Sequence, residues 1–386
     1  MFGVVIVDLI GFGIVMPVLP FYAKEFGASA TTLGLLFTVH SAAQFVFAPV
    51  WGRLSDRFGR RPVLLLTVAG TALSLLALGL VRTLPGVFAA RILAGAFAAN
   101  VSVASAYIGD ATEPDERTRW MGLLGASFGI GFLVGPAIGG ALAPFGYRVP
   151  LLAAAGLAAA NLVHALVSLR EPPRRQVIAA DAAGPAQRFG VLRDATVLRL
   201  CLVSFAFAFA VTQLETVFAF FLLDRFGYDA PHVAVLLVGM AVVMGGVQGG
   251  GMKALSARFE ERALVSAGAA ALGIAFLALP EMPTVALLAV FLVLSALGRG
   301  VSQPALMGLV SLASTDRNRG AVMGVYQSSA SLARIFGPVI AGTLYDSKQA
   351  LPFWLAGALA LGVAAAGRTL PARARPGTEL PITRSA

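Results

Sequence analysis

Two carboxylates stand within long apolar stretches of this sequence, Asp8 in the first and Glu215 in the seventh. An ionised carboxylate is costly in a low-dielectric slab, so such a group faces a cavity or a partner, and its neutral form is favoured there. That is the chemistry of a reversible proton carrier. Asp8 lies about 18 Å of helix from Pro20, deep enough to be inside a bilayer. A cationic or polar molecule arriving beside it would favour the charged form instead, so proton and molecule would compete for one site. Arg91, in the fourth stretch, is the natural counter-charge, because a guanidinium stays protonated and must be paired or reach water. Arg299 and Arg334 make the same demand later in the chain.

A second concentration of charge is Gly52 to Pro62, with Arg53, Arg57, Arg60 and Arg61 around the single carboxylate Asp56. It separates two apolar runs, Thr31 to Trp51 and Val63 to Val81, and reads as a tight turn between membrane helices. Gly52 and Gly59 are expected to turn the backbone, and Pro62 suits the first turn of the following helix. Asp56 is expected to pair or cap within this gate, with the arginines and a helix N-terminus as its partners.

The elements that must position these groups follow from composition. Of 386 residues, 58% are hydrophobic and 12% charged, with mean hydropathy +0.83, against roughly 25% charged in soluble domains. This is a polytopic membrane protein, all α. The net charge of +10 is split among short loops and is a topology signal, not a nucleic-acid face. The single cysteine, Cys201, excludes an intramolecular disulfide. The sequence has no zinc-like Cys/His arrangement and no P-loop, so no metal, cofactor or enzymatic chemistry is expected. Met1 to Phe21 lacks a basic leader and a small-residue cleavage site and reads as a retained span.

Twelve spans are expected, near 2–21, 31–51, 63–81, 86–108, 120–142, 149–169, 199–223, 232–252, 263–280, 284–308, 321–344 and 351–368. With the N-terminus inside, twenty-one Lys and Arg fall on the cytoplasmic side and five on the other. Both termini are therefore expected in the cytoplasm. The chain divides into a six-helix bundle over 1–169, a cytoplasmic linker over 170–198, a second bundle over 199–370 and a cytoplasmic tail over 371–386. The halves repeat: Leu54 to Arg61 is echoed by Leu255 to Arg262, an offset of 201, and Gly135 to Gly140 by Gly337 to Gly342, an offset of 202. Such a repeat is the signature of a transporter with its site at the interface of two bundles.

The Gly52 to Pro62 segment, the Asp8 to Pro20 pattern, Arg91 to Gly95 and Gly131 to Gly140 resemble the major facilitator superfamily, and within it the twelve-span drug:proton antiporters that include bacterial tetracycline and multidrug efflux pumps. The resemblance implies the major facilitator fold, twelve helices in two pseudo-symmetric bundles, in a bacterial inner membrane. It implies export of small amphiphilic or lipophilic molecules by alternating access, driven by inward proton flow. A proton-linked or facilitative carrier of a sugar, organic acid or other metabolite is the alternative. In this family the motif of Gly131, Gly135, Pro136, Gly139 and Gly140 is associated with antiporters, and the arginine matching Arg91 with proton coupling. Spans 1, 4, 7 and 10 should line the cavity, with Phe12, Asn100, Phe205, Phe209, Gln213 and Gln303 supplying aromatic and amide surface. Tetracycline pumps carry acidic residues in spans 3 and 9, where this chain has Ser74 and an acid-free Ala263 to Leu279, so a metal-chelated tetracycline is not the expected cargo. The expected partners are a small-molecule substrate, protons and membrane lipid; no nucleic acid is expected, and the chain is read as a monomer.

Overall fold

The computed structural model describes residues 1–172, 190–314 and 318–370. Most of the expected linker and the whole of the expected tail lie outside the described residues. The first six spans are α1 (Phe2–Lys24), α2 (Ala30–Phe58), α3 (Arg60–Leu80), the pair α4 (Leu84–Phe97) and α5 (Asn100–Ala111), α6 (Pro114–Leu142) and α7 (Arg148–Ser168). The last six are α8 (Ala195–Phe226), α9 (Ala230–Gly246) joined by a π turn at Val247–Gly251 to α10 (Met252–Arg258), α11 (Glu261–Ala278), α12 (Val285–Leu312), α13 (Arg319–Ser347) and α14 (Leu351–Gly367). Among the described residues, ten helical runs are long and apolar enough to cross a membrane, and α14 is a shorter apolar helix. α13 is more polar, carrying Gln327, Ser328, Ser331 and Arg334 around its middle.

Local chemistry sets the helix ends. Ser29, Thr83 and Thr284 accept backbone N–H groups at the starts of α2, α4 and α12, and Asp194 does so for α8. These side chains replace partners that the first helical turn lacks. α8 ends at Gly227, whose left-handed φ of 68° lets the N–H of Tyr228 return to Leu222 O.

The arginine-rich segment differs from its sequence reading. Gly52 lies inside α2, which continues helical to Phe58, and the chain turns only at Gly59, with φ of 105°. Propensity explains the extra turns: Arg53, Leu54 and Arg57 are good helix formers, and no breaker intervenes before Gly59. Pro62 sits in the first turn of α3, as expected.

The two bundles are sealed together at the end opposite the arginine-rich segment. Asp346, at the end of α13, accepts the backbone N–H groups of Ala30 and Thr31 at 3.1 and 2.8 Å and the Thr31 hydroxyl at 2.6 Å. A carboxylate from one bundle thus caps the N-terminus of α2 in the other, where the helix dipole favours it. Thr38 donates to Ile335 O at 2.7 Å, and Lys24 pairs with Asp224 at 3.2 Å. Gly34 lies so near Pro338 O that a Cβ there has no room. At the other end the helices stand apart. Phe45, Val46 and Phe47 are all exposed, as are Gln248, Gly249 and Gly250. These exposed faces have no partner covering them, while Trp51 and Val247 hold each helix to its own bundle.

The Asp346 cap should stabilise closure of this end. With Cys201 replaced by Ser and spin labels on cysteines at the exposed positions Glu25 and Gln349, Asp346→Ala should broaden the inter-label distance toward longer values. Loss of a cap of about 1 kcal/mol corresponds to a roughly fivefold change in the closed-to-open ratio. An unchanged distribution would exclude this role.

Candidate functional site

The first bundle is organised around a break in its fourth span. Ala98 and Ala99 leave helical geometry between α4 and α5, which frees carbonyls in a region where unsatisfied backbone is costly. α2 supplies the missing donors: Gln44 Nε2 reaches Ala98 O at 2.8 Å and Trp51 Nε1 reaches Ala96 O at 2.6 Å. The break starts a new helix at Asn100, whose buried side chain donates to Asp8 Oδ1 at 2.7 Å and to Thr71 Oγ1 at 3.3 Å. The Asn100 Oδ1 atom is buried without a partner. Once protonated, Asp8 would offer that oxygen a donor, so the pair has a partner to exchange in either state.

Arg91 is buried at 4% exposure and does not meet Asp8. Its guanidinium lies 5.7 Å from the centroid of the Phe37 ring, and among the described residues no carboxylate pairs with it. Its carbonyl contacts His40 Nδ1 at 3.3 Å. The interaction is a cation over an aromatic face, in place of the ion pair expected from charge alone.

The cavity between the bundles holds the other carboxylate. Met16, Phe37, Phe132 and Pro136 line it from the first half, and Phe218, Met240, Met244, Phe276, Glu215 and Arg299 line it from the second. Glu215 Oε1 accepts from Arg299 Nη1 at 2.6 Å. Glu215 is exposed in a stretch of α8 whose neighbours are buried, so it points into the cavity. Arg334 is close enough to feel the charges of both partners. The expectation that Arg91 is the counter-charge therefore holds for neither carboxylate. Arg299 was legible as a lone cation in span 10, as Glu215 is a lone acid in span 7; their pairing needed the fold.

The other expected cavity residues are distributed differently. Gln213 is fully buried and donates to Gly337 O at 3.1 Å, which ties α8 to α13. Phe209 is buried with Phe205 against it, ring centroids 5.7 Å apart. Phe12 is partly exposed between His40 and Phe132. Gln303 is exposed, nearer the arginine-rich end. None of these five side chains is in the cavity wall described above, because that wall lies on the sealed half of the interface.

The arginine-rich segment ties helices of the first bundle. Arg60 pairs with Asp56 at 2.6 Å and with Asp110 of α5 at 2.7 Å. Glu171 accepts the backbone N–H groups of Arg60 and Arg61 at 2.6 and 2.9 Å, so the cap of α3 comes from Glu171 and not from Asp56. Arg61 also donates to Leu166 O at 3.0 Å. Asp110 and Glu171 were missed because each lies far along the chain from the arginines it meets. Arg53 reaches only back to Pro49 O, and the Arg57 guanidinium lies over its neighbour Phe58.

The glycine motif of α6 packs directly on α1. Gly131 faces Leu9, Gly135 faces Gly13 and Gly139 faces Ile14 O, a four-residue repeat that brings the two backbones together. A Cβ on Gly135 would lie 2.5 Å from Gly13 Cα. Gly140 instead meets Ala234 of α9, across the bundle interface. A Cβ at Gly125 or Gly129 would meet no neighbour within 4 Å, so both lie outside this seam. α6 stays helical through Pro136, whose ring helps to line the cavity.

Comparison with known proteins agrees with this architecture. A family model described as Major Facilitator Superfamily matches residues 1–253 and 252–385. The chain is 31% identical over 350 residues to the class D tetracycline resistance protein of Salmonella ordonez, covering 90% of this chain and 89% of that protein. It is 28% identical to multidrug resistance protein 1 of Bacillus subtilis, covering 93% and 92%. Among solved structures it resembles the human organic anion transporter with TM-score 0.70 and 26% identity, covering 95% of this chain and 97% of that one.

A double-mutant cycle tests the arginine cluster. Arg60→Gln and Asp110→Asn should show a coupling of about 1–3 kcal/mol in unfolding stability, the range for a charge-assisted bond between largely buried partners. Additive effects would mean that the two side chains act independently.

Proposed function

The chain belongs to the major facilitator superfamily, and we propose that this secondary transporter exports small amphiphilic or lipophilic molecules in exchange for protons. The arginine-rich end would face the cytoplasm of a bacterial inner membrane, a reading that the charge distribution of the sequence supports. The observation that carries this reading is the cavity between the bundles, sealed at one end by Asp346, Thr38 and Lys24 and lined mainly by Phe and Met around one ion pair. Methionine and phenylalanine walls accommodate apolar bodies of varied shape. The names of the relatives, tetracycline and multidrug resistance proteins, support a drug-like cargo.

The two carboxylates suit different tasks. Asp8 is held by the amide of Asn100, so proton uptake breaks no ion pair and gives the unpartnered Asn100 Oδ1 a donor. Glu215 is held by Arg299, so its protonation would release a cation into the cavity. Proton binding would thus alter the first bundle through α1, α3 and α5 and the cavity through α8 and α12. The α1–α6 seam links these regions, since α1 carries Asp8 and α6 lines the cavity. Alternating access then requires the Asp346 seal to open while the arginine-rich ends of α2 and α10 close. With only Ser295 and the ion pair as polar lining, the cavity suits a lipophilic body better than a sugar, which needs many hydrogen bonds.

Two predictions follow from this assignment. In proteoliposomes with an acidic interior, lipophilic drugs should trigger proton release that Asp8→Asn abolishes while drug binding persists. Drug-independent pH traces in the folded wild type would overturn proton-coupled export. Gly135→Leu should insert and remain folded but lose transport, because overpacking the α1–α6 seam costs about 1–3 kcal/mol and displaces Asp8 relative to the cavity. Full transport by this variant would show that the seam is packing alone.

A further inference from the structure

The repeat between the halves builds one anion-binding corner in each bundle, and among the described residues the chain supplies its own anion only in the first. α3 packs on α7, and α11 packs on α14 in the second half. At the start of α3, the backbone N–H groups of Arg60 and Arg61 are held by the carboxylate of Glu171, just after α7. The offset of 201 carries Arg61 onto Arg262, in the first turn of α11. α11 has no side-chain cap, and the described residues after α14, Arg368 to Leu370, include no acid. Arg368 is exposed there, and among the described residues its guanidinium has no carboxylate partner. Arg262 and Arg368 head a groove of roughly 730 Å³ between α11 and α14, floored by Ala263, Ala267 and Ala270 and by Leu361 and Ala365. Both helices pack on helices of their own bundle, and Ala263, Ala267, Leu361 and Ala365 are exposed, so the groove opens outward. From Ala263 to Ala270 it follows α11 for about 10 Å, and its volume far exceeds the roughly 30 Å³ of a water. Arg262 Nε pairs with Glu260 at 2.6 Å, whereas Glu261 packs toward Gly308 of α12 and is not part of the wall. Two arginines and one carboxylate leave one positive charge at the head of an apolar groove.

We propose that this groove binds an anionic phospholipid from the leaflet on the arginine-rich side, with its phosphodiester at Arg262 and Arg368 and an acyl chain along the alanines of α11. Basic pockets between membrane helices receive such head groups. A planar guanidinium fork matches phosphate oxygens, and the start of α11 favours negative charge as the start of α3 does. The single charge of a phosphodiester matches the one positive charge left at the groove. A free phosphate leaves the apolar floor uncovered, and a choline lipid brings a second cation to the arginines. The bound head group ties the start of α11 to the end of α14, as Glu171 ties the start of α3 to the end of α7. The site is separate from the cavity between the bundles, so it does not depend on the nature of the cargo.

The test is native mass spectrometry of the full chain in neutral detergent, titrated with dioleoyl phosphatidylglycerol or dioleoyl phosphatidylcholine. The first phosphatidylglycerol should bind about tenfold more tightly than phosphatidylcholine. Arg262→Gln and Arg368→Gln should each weaken it roughly fivefold, the contribution of one basic residue at a lipid surface, and Arg368→Lys should keep part of the affinity. Ala267→Phe, which fills the groove and leaves its charge unchanged, should weaken it as well. Arg53→Gln, an exposed arginine in the other bundle, should leave it unchanged and is the control for general surface charge. Phosphatidylglycerol should also raise the unfolding temperature of the wild type, a gain that Arg368→Gln removes. Equal binding of the two lipids, or equal losses in the Arg53 and Arg368 variants, would overturn the proposal. Displacement of phosphatidylglycerol by an equal concentration of glycerol 3-phosphate would assign the corner to a free phosphate and overturn the lipid assignment. Full phosphatidylglycerol affinity in the Ala267→Phe variant would overturn the groove as the place of the acyl chain.

Discussion

A polar group inside an apolar slab must find its partner within the protein, and most features of this molecule follow from that requirement. The break between α4 and α5 is tolerated because Gln44 and Trp51 of α2 take up the carbonyls it exposes. Asp8 is tolerated because the break turns Asn100 toward it. Arg91 is tolerated because Phe37 presents an aromatic face in place of a carboxylate. These solutions are interlocked: α2 carries Gln44, Trp51 and Phe37, so the helix that satisfies the broken span also supports the buried arginine and reaches the cavity wall.

The ends of the molecule are built from different materials. The sealed end relies on small residues and caps: Gly34 against Pro338, Gly342 against Ala30, and Asp346 on the N-terminus of α2. Close backbone approach makes such a contact sensitive to small displacements, because packed surfaces have few intermediate arrangements. The arginine-rich end relies on charge. Arg60, Asp56 and Asp110, with Glu171 at the start of α3, hold α2, α3, α5 and the segment after α7 together. This cluster makes the end of the first bundle a rigid unit while the second bundle stands away from it. A rigid body on each side of a narrow seam is the arrangement that lets one end close as the other opens.

Much of this was legible in the sequence, and the reasons are physical. The twelve spans followed from apolar length, and the halves from the repeats at Gly135 and Gly337. A close-packing face on α6 is visible in the spacing of Gly131, Gly135 and Gly139, since a four-residue repeat stays on one helix face, but its partner α1 is not. What escaped notice depended on contacts between distant positions. The charges over Gly52 to Phe58 point to a turn, because they cannot lie inside the apolar slab. They remain helical because α2 extends beyond the apolar slab before it turns at Gly59. The break before Asn100 follows Ala-Phe-Ala-Ala, which has no local breaker; only the donors on α2 explain it. A count of charges makes Arg91 a counter-charge, whereas the fold places Arg299 across from Glu215 and leaves Arg91 with an aromatic ring.

The departure from symmetry between the halves is itself informative. Asp56 corresponds through the repeat to Ala257, and the second-half segment ends in Phe259-Glu260-Glu261-Arg262 where the first has Phe58-Gly59-Arg60-Arg61. Without a glycine at the turn, Glu260 begins α11 with ordinary backbone geometry and pairs locally with Arg262 at 2.6 Å. Among the described residues, the second half shows no inter-helix charge lock like the one that stiffens the first. It has a π turn at Val247–Gly251 instead, in a glycine-rich stretch of its matching span. A wider helical turn beside three glycines is a place where a helix can bend at low cost. The locked half carries Asp8 in a settled amide network, and the more deformable half carries the Glu215–Arg299 pair in the cavity wall. In the proposed cycle the first half keeps a fixed proton site, and the second can adjust its shape around cargo of different sizes.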